Sequence, residues 1–194
     1  FVVTGAPSLL YESSTGDLSV YLSTTQLSYD YFDTIEIWHG RAYAVGASYS
    51  MGDYKVSAGY EKFKQNNDFG DTGQADNIVL GADATFGAVT LKARIGQGSS
   101  GYNGTDLQEN DQWALSATYA VDALSVTGFA SNLQHSATIG GANIFEVEAI
   151  GLGASYDLGG GAKVQGGYVR RATTTGAAAQ VTDSAADIGL SFSF

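Results

Sequence analysis

From residue 40 onward apolar and polar side chains alternate one by one over segments of strand length, and the segments come in pairs joined by short turns. In "GRAYAVGASYSMGDYKVSAGYEKF", Tyr43, Val45, Ala47 and Tyr49, then Tyr54, Val56, Ala58 and Tyr60, fall on one face around Met51-Gly52-Asp53. Ser48, Ser57 and Glu61 fall on the other. A period of two predicts strands with one greasy and one wet face. "NIVLGADATFGAVTLKARIG" repeats the plan, with Ile78, Leu80, Ala82, Ala84 and Phe86, then Val89, Leu91, Ala93 and Ile95, opposite Asp83, Thr85, Thr90, Lys92 and Arg94. So does "DQWALSATYAVDALSVTGFA", with Trp113, Leu115, Ala117, Tyr119, Leu124 and Val126 on the greasy side. The last pair, "AIGLGASYDLGGGAKVQGGYVR", is followed by "DIGLSFSF", in which Ile188, Leu190, Phe192 and Phe194 share a face. Before residue 40, "SLLYES" and "DLSVYLS" read as one more hairpin across Ser14-Thr15-Gly16, which makes about eleven strands in all.

The longer connections, residues 65 to 76, 97 to 111, 135 to 143 and 172 to 183, are rich in Gly, Asn, Asp, Ser and Thr and read as loops. Short turns alternating with long loops put every long loop at the same end, as in an up-and-down meander. "GASY" at 46 to 49 recurs at 153 to 156, and "KVSAGY" at 55 to 60 recurs as "KVQGGY" at 163 to 168, so one hairpin template is used twice. Residues 27 to 40, "LSYDYFDTIEIWHG", read as a loop with a short strand extension.

The greasy faces need either the interior of a soluble β-domain or the hydrocarbon of a membrane. The opposite faces carry Ser, Thr, Gly and scattered charges, which suits a water-filled lumen. Aromatics recur on the apolar face six residues apart, as in Tyr43 and Tyr49, Tyr54 and Tyr60, Trp113 and Tyr119. At ~3.4 Å per residue and a tilt of ~40°, that spacing covers about 15 Å, short of the ~25 Å apolar band of such barrels. Tyr49, Tyr54, Phe86, Tyr119, Tyr156, Phe192 and Phe194 lie beside short turns or the terminus, where an interfacial aromatic girdle belongs, with Trp38 a further candidate. No helix is readable that could cover a sheet, and a sandwich core built from these Ala, Val and Gly positions would be thin. The expected fold is all-β: an up-and-down antiparallel transmembrane β-barrel, with residues 1–194 in a single barrel domain.

Composition agrees. Of 194 residues 44% are hydrophobic and 15% charged, with 26 glycines and one proline; no run of about 18 apolar residues exists for a transmembrane helix. Cysteine is absent, which removes disulfides and thiolate metal sites. A formal charge of -11 argues against nucleic acid as a partner. The start, "FVVTGAPSLLYESS", has no basic n-region or apolar h-region, so any secretion signal is expected to be removed or to lie upstream.

On the wet face the charged candidates are Lys92 and Arg94, adjacent inward positions, with Asp83, Glu61 and Asp187. Lys55 and Lys163 occupy equivalent repeat positions just after short turns and, with Asp157, read as rim charges. The acidic stretches "NNDFGDTGQADN" and "GTDLQEND" offer oxygen ligands for calcium but lack the calcium-loop spacing D-x-[DN]-x-[DN]-G; no other cofactor is expected. His39 and His135 both fall near loops, where serines are so common that the sequence leaves a Ser/His/Asp arrangement open without pointing to one, and "GQGSSGYNG" lacks the lysine and helix of a phosphate loop. No enzymatic activity is expected.

"GLGASYDLGGGAKV" (151 to 164), "DIGLSFSF" and "PSLLYESSTGDLSVYLS" resemble the general porins of alphaproteobacteria, trimeric sixteen-stranded channels of the outer membrane. The terminal aromatic strand resembles the signature that the barrel assembly machinery reads. The resemblance implies passive diffusion of small hydrophilic solutes and ions, a homotrimer, and contact with membrane lipid and lipopolysaccharide. It also implies a constriction in which a basic wall cluster, here Lys92 and Arg94, faces an acidic inward-folded loop. Bacterial barrels have even strand numbers, so about five N-terminal strands and that loop are expected to be absent from these residues. The competing expectations are a secreted β-rich binding or adhesive domain, and an outer-membrane enzyme or autotransporter translocator.

Overall fold

The structure, a computed structural model, describes residues 2–3, 8–31, 36–67 and 70–193, with backbone alone at 2–3, 27–31, 36–38 and 67. Its strands are β1 (Val2–Val3), β2 (Ser8–Thr15), β3 (Leu18–Tyr31), β4 (Glu36–Met51), β5 (Tyr54–Asn67), β6 (Thr72–Phe86), β7 (Val89–Tyr102), β8 (Thr105–Val121), β9 (Leu124–Ala137), β10 (Asn143–Gly159), β11 (Ala162–Thr175) and β12 (Val181–Phe192). From β3 onward each pairs antiparallel with the next in one sheet. β1 and β2 both pair along the same edge of β3, at Val2↔Asp30 and Ser8↔Thr25, and so occupy one strand position. The wall therefore has the eleven positions expected from the alternation.

Two-residue turns make one rim, at Gly16-Asp17, Gly52-Asp53, Gly87-Ala88, Asp122-Ala123 and Gly160-Gly161. Their first residues have φ near +60° (49° at Asp122), the left-handed backbone that twisted hairpins need and that glycine adopts without a Cβ clash. Each turn is also tied to its neighbour. The carbonyls of Asp17, Asp53, Ala88, Ala123 and Gly161 accept the amides of Ser50, Thr85, Ala120, Asp157 and Ser193 at 2.8–2.9 Å. The duplicated template survives in the pairing, since Tyr49 faces Val56 and Tyr156 faces Val164. The second copy has one extra residue, absorbed by a register shift between Asp157 and Gly159.

Among the described residues no hydrophobic side chain is buried. The accessible surface is 12646 Å² for a 20.2 kDa chain, against about 8,800 Å² for a soluble globular protein of that mass. Among the described residues no second sheet packs on the first, so the sandwich alternative has no core there. The two faces nevertheless differ. On β4, Tyr43, Val45, Ala47 and Tyr49 are exposed while Ala42, Ala44, Gly46 and Ser48 are more covered, and β8 and β10 alternate likewise. Curvature does this: side chains crowd on the concave face, which here is the polar one, and splay apart on the convex, apolar one.

The convex apolar band is taller than its aromatic spacing implied. On β6 it runs from Phe86 to Ile78 before Asp76, and on β8 from Val121 to Trp113 before Asp111. Eight residues of tilted strand span about 21 Å, close to the ~25 Å of hydrocarbon. Tyr49, Tyr54, Phe86, Tyr119, Tyr156 and Phe192 are exposed at its short-turn border, and Tyr43, Tyr60 and Trp113 at the other. The rings of Tyr54 and Phe86 meet edge to face at 6.0 Å. Tyr168, on the same face of β11, belongs with them, although its place after two glycines hid it. Phe194 and the Trp38 side chain lie outside the described residues.

The segments read as loops are mostly strand. Residues 97–102 and 105–111 are arms of one hairpin whose turn is Asn103-Gly104 alone, with φ of 50° and 80°. Residues 72–76, 135–137, 172–175 and 181–183 also join ladders, and 27–31 pairs with 36–40 where a loop with a short strand extension was expected. Above the apolar band both faces of a strand are wet, so the alternation that marks a strand disappears while its backbone pairing continues.

Candidate functional site

Alternation and register assign the concave face residue by residue. Five of the nine Lys and Arg residues, Lys55, Lys92, Arg94, Lys163 and Arg171, fall on it. Arg171 escaped the sequence reading because it follows Arg170 directly; counting from the outward Tyr168 puts Arg170 outside and Arg171 inside, opposite Asp183.

Asp83 stands at the centre of a basic group. Across its two ladders it faces Lys55 on β5 and Lys92 on β7, while Arg94 lies two pairs further along, at the next inward position. The register follows from the turn: with Gly87-Ala88 closing the hairpin, Phe86 meets Val89 and Asp83 must meet Lys92. Arg94 Nη1 donates to Asp83 Oδ1 at 2.5 Å and to the carbonyl oxygens of Ala93 at 2.8 Å and Ala82 at 3.2 Å. Lys92 and Lys55 have no ion-pair partner among the described residues and are exposed. One carboxylate thus anchors the guanidinium and leaves two ammonium groups over, for a local charge of +2. Lys92 sits between the outward Leu91 and Ala93, within the span of the apolar band. Lys55, expected as a rim charge, shares a ladder row with Asp83.

Glycines let long side chains lie flat on this wall. A Cβ at Gly81 would come within 2.7 Å of Arg94 Cδ and Nε and 2.5 Å of Ser57 Oγ. Gly96 is crossed by Gln112, whose Nε2 donates to Asn77 Oδ1 at 3.2 Å, and Gly151 is covered by the ring of Phe129. Gly81→Ala should lift Arg94 off the wall toward the lumen, since a flexible side chain yields before the backbone does. The expected result is a lower single-channel conductance with an unchanged far-ultraviolet spectrum; equal conductance would show that Arg94 is not held by this gap.

The other expected charges are spread apart. Glu61 is higher on the concave face, opposite Asn77. Asp157 faces Lys163 at the short-turn rim, but its Oδ1 accepts the Gly159 amide at 2.8 Å and so fastens the turn. The face is not wholly polar either, since Phe129, Leu133, Val147 and Val169 point inward against the simple two-face pattern. For calcium, no group of three or more His, Cys, Asp or Glu among the described residues is placed to hold a metal ion.

A single curved antiparallel sheet, oily outside and charged inside, is a stretch of transmembrane β-barrel wall. The chain belongs to the Gram-negative porin family, whose model matches residues 10–177. It is 31% identical over 195 residues to a porin of Rhodobacter capsulatus, covering 97% of this chain and 62% of that relative. A porin structure refined at 1.8 Å superposes with a TM-score of 0.71 at 26% identity, again over 97% of this chain and 62% of the other. The anion-selective porin from Comamonas acidovorans shares the fold, with a TM-score of 0.65 at 16% identity over 97% of this chain and 59% of that one. The chain thus spans less than two thirds of the length of these relatives. The family is one of outer-membrane channels, not of enzymes or secreted adhesive domains.

Proposed function

We propose that the protein forms a water-filled pore in the bacterial outer membrane through which small hydrophilic solutes and ions diffuse passively, and that it works as a homotrimer. The observation that carries this reading is the Asp83–Arg94–Lys92–Lys55 cluster on the concave face, at the height where the convex face is oily. Charges at that depth are stable only beside water, so the concave side is a wet lumen. By resemblance, Lys92 and Arg94 act at a constriction, where fixed charge orients polar solutes and sets ion preference.

The described sheet has open edges at β12 and along β1 and β2. Unpaired ladder groups in hydrocarbon cost several kcal/mol each, so the working pore needs further strands to close its wall in a single barrel domain. Lipid meets the convex band. Just above it Arg41, Lys62 and Lys64 lie outward on β4 and β5, suited to the phosphates of lipopolysaccharide. Reconstitution of the native protein into planar bilayers tests the pore: stepwise ohmic conductance is expected, and a membrane left electrically silent by folded protein would refute it.

A further inference from the structure

Higher on the concave face than the basic cluster, one ladder row crosses five strands, from Glu61 on β5 through Asn77, Gly98 and Asn110 to His135 on β9. Gly98 has no side chain, and the Asn110 amide lies over it: a Cβ there would collide with the Asp76 carbonyl and come within 2.5 Å of Asn110 Oδ1. Along this row is a recess of about 330 Å³, whose lining includes Glu61, Phe63, Asn77, Ser100, Asn110 and His135 on the inward side, with Asp76 and Glu109 from outward positions reaching it as well.

The polar groups of this recess are unequally committed. Asn77 Oδ1 is taken by Gln112, which leaves its Nδ2 to donate. Asn110 Oδ1 is buried against Gly98 without a hydrogen-bond partner among the described residues, whereas the Glu61 carboxylate is exposed and has no partner among them. The His135 ring is steadied against Phe145, 6.2 Å away. The set that a solute can reach holds the Glu61 carboxylate as acceptor, an amide donor on Asn77, the Ser100 hydroxyl and an imidazole that serves as either, beside the ring of Phe63. Such a set matches adjacent hydroxyl groups around an apolar ring face. The volume lies at the small end of ligand clefts, ~300–1,000 Å³, and admits one sugar ring. Unpaired Glu61 repels anions.

We propose that this recess is a weak, saturable subsite for a neutral polyhydroxylated solute of monosaccharide size, which delays its transit along the wall. The proposal rests on the reading of this face as a pore lining, but its test needs no current. Glucose binding to the native, detergent-solubilised protein is followed by saturation-transfer NMR, with correct folding confirmed by heat-modifiable gel migration. Half-saturation on the order of millimolar is expected, corresponding to the small free energy of a few exposed hydrogen bonds. Phe63→Leu and Glu61→Gln should each raise it about tenfold, the effect of one charge-assisted hydrogen bond or one ring contact. Ser125→Ala, on the same face near the short turns, should leave it unchanged.

Transfer that never saturates, or half-saturation equal in all folded variants, would overturn the subsite. So would displacement of glucose by choline chloride at lower concentration, which would mark the recess as a cation site. Because binding is read without conductance, a protein that binds glucose but carries no current would refute the pore and keep the subsite.

Discussion

Leu115→Arg is expected to destabilise the folded protein by about 1–3 kcal/mol, the cost of a cation on a lipid-facing strand between the midplane and the interface. Leu115 is 53% exposed, between Ala93 and Ala130 across its two ladders and between Trp113 and Tyr119 along β8. Its small neighbours offer no polar group, and with Trp113 about 5 Å and Asp111 about 10 Å away along the tilted strand, the guanidinium must reach past the aromatic border to find water. Ser131→Arg supplies the contrast. Ser131 lies on the concave face between Ala114 and Ala149, and a new cation there enters water, with an expected effect within about 0.5 kcal/mol. Urea unfolding in lipid vesicles, followed by tryptophan fluorescence, measures both. Equal costs for the two variants would mean that hydrocarbon does not bathe the apolar face.

That contrast reflects what was legible in the chain. Where lipid touches one side of a strand and water the other, every second residue reports its environment, so Tyr43 to Tyr49 and Trp113 to Tyr119 could be read as strands directly. Gly52-Asp53 and Gly87-Ala88 then fixed the partners. Beyond the band that contrast vanishes: "GQGSSGYNGTDLQEND" has two wet faces and reads as a loop, although its arms pair from Gln97↔Asp111 to Tyr102↔Thr105. The clue within it was Asn103-Gly104, the dipeptide that favours two left-handed residues in a tight hairpin.

The site divides along the same line. Lys92, Arg94 and Asp83 sit on one hairpin with a two-residue turn, so their proximity follows from counting back from Gly87. Lys55 needed the next ladder as well, and its nearness to a turn suggested a rim. The Glu61–His135 row was out of reach because its register runs through arms that carry no alternation. Phe129 shows a different failure. An inward aromatic contradicts a polar lumen, yet it covers Gly151 on the next strand, a packing demand that a face-by-face reading does not contain.

Reversing charge at the basic cluster should move ion preference toward cations. Lys55, Asp83, Lys92 and Arg94 sum to +2, and Lys92→Glu with Arg94→Glu takes the sum to −2, a change of four charges. At ~10 Å from a permeating ion each charge contributes about 0.4 kcal/mol in water, and screening at 0.1 M salt leaves roughly 0.6 kcal/mol for the four. Cation occupancy should then rise, and anion occupancy fall, by about threefold each. At 1 M salt the Debye length shrinks to ~3 Å and the effect should all but disappear. Lys92→Glu alone keeps the Asp83–Arg94 pair and should give about half the free-energy change, whereas Arg94→Glu also sets a carboxylate beside Asp83 and frees Gly81 of its cover. Reversal potentials across a potassium chloride gradient, recorded at low and high mean salt, read this out. A double variant with the native reversal potential at low salt would place the selective charges elsewhere on the wall.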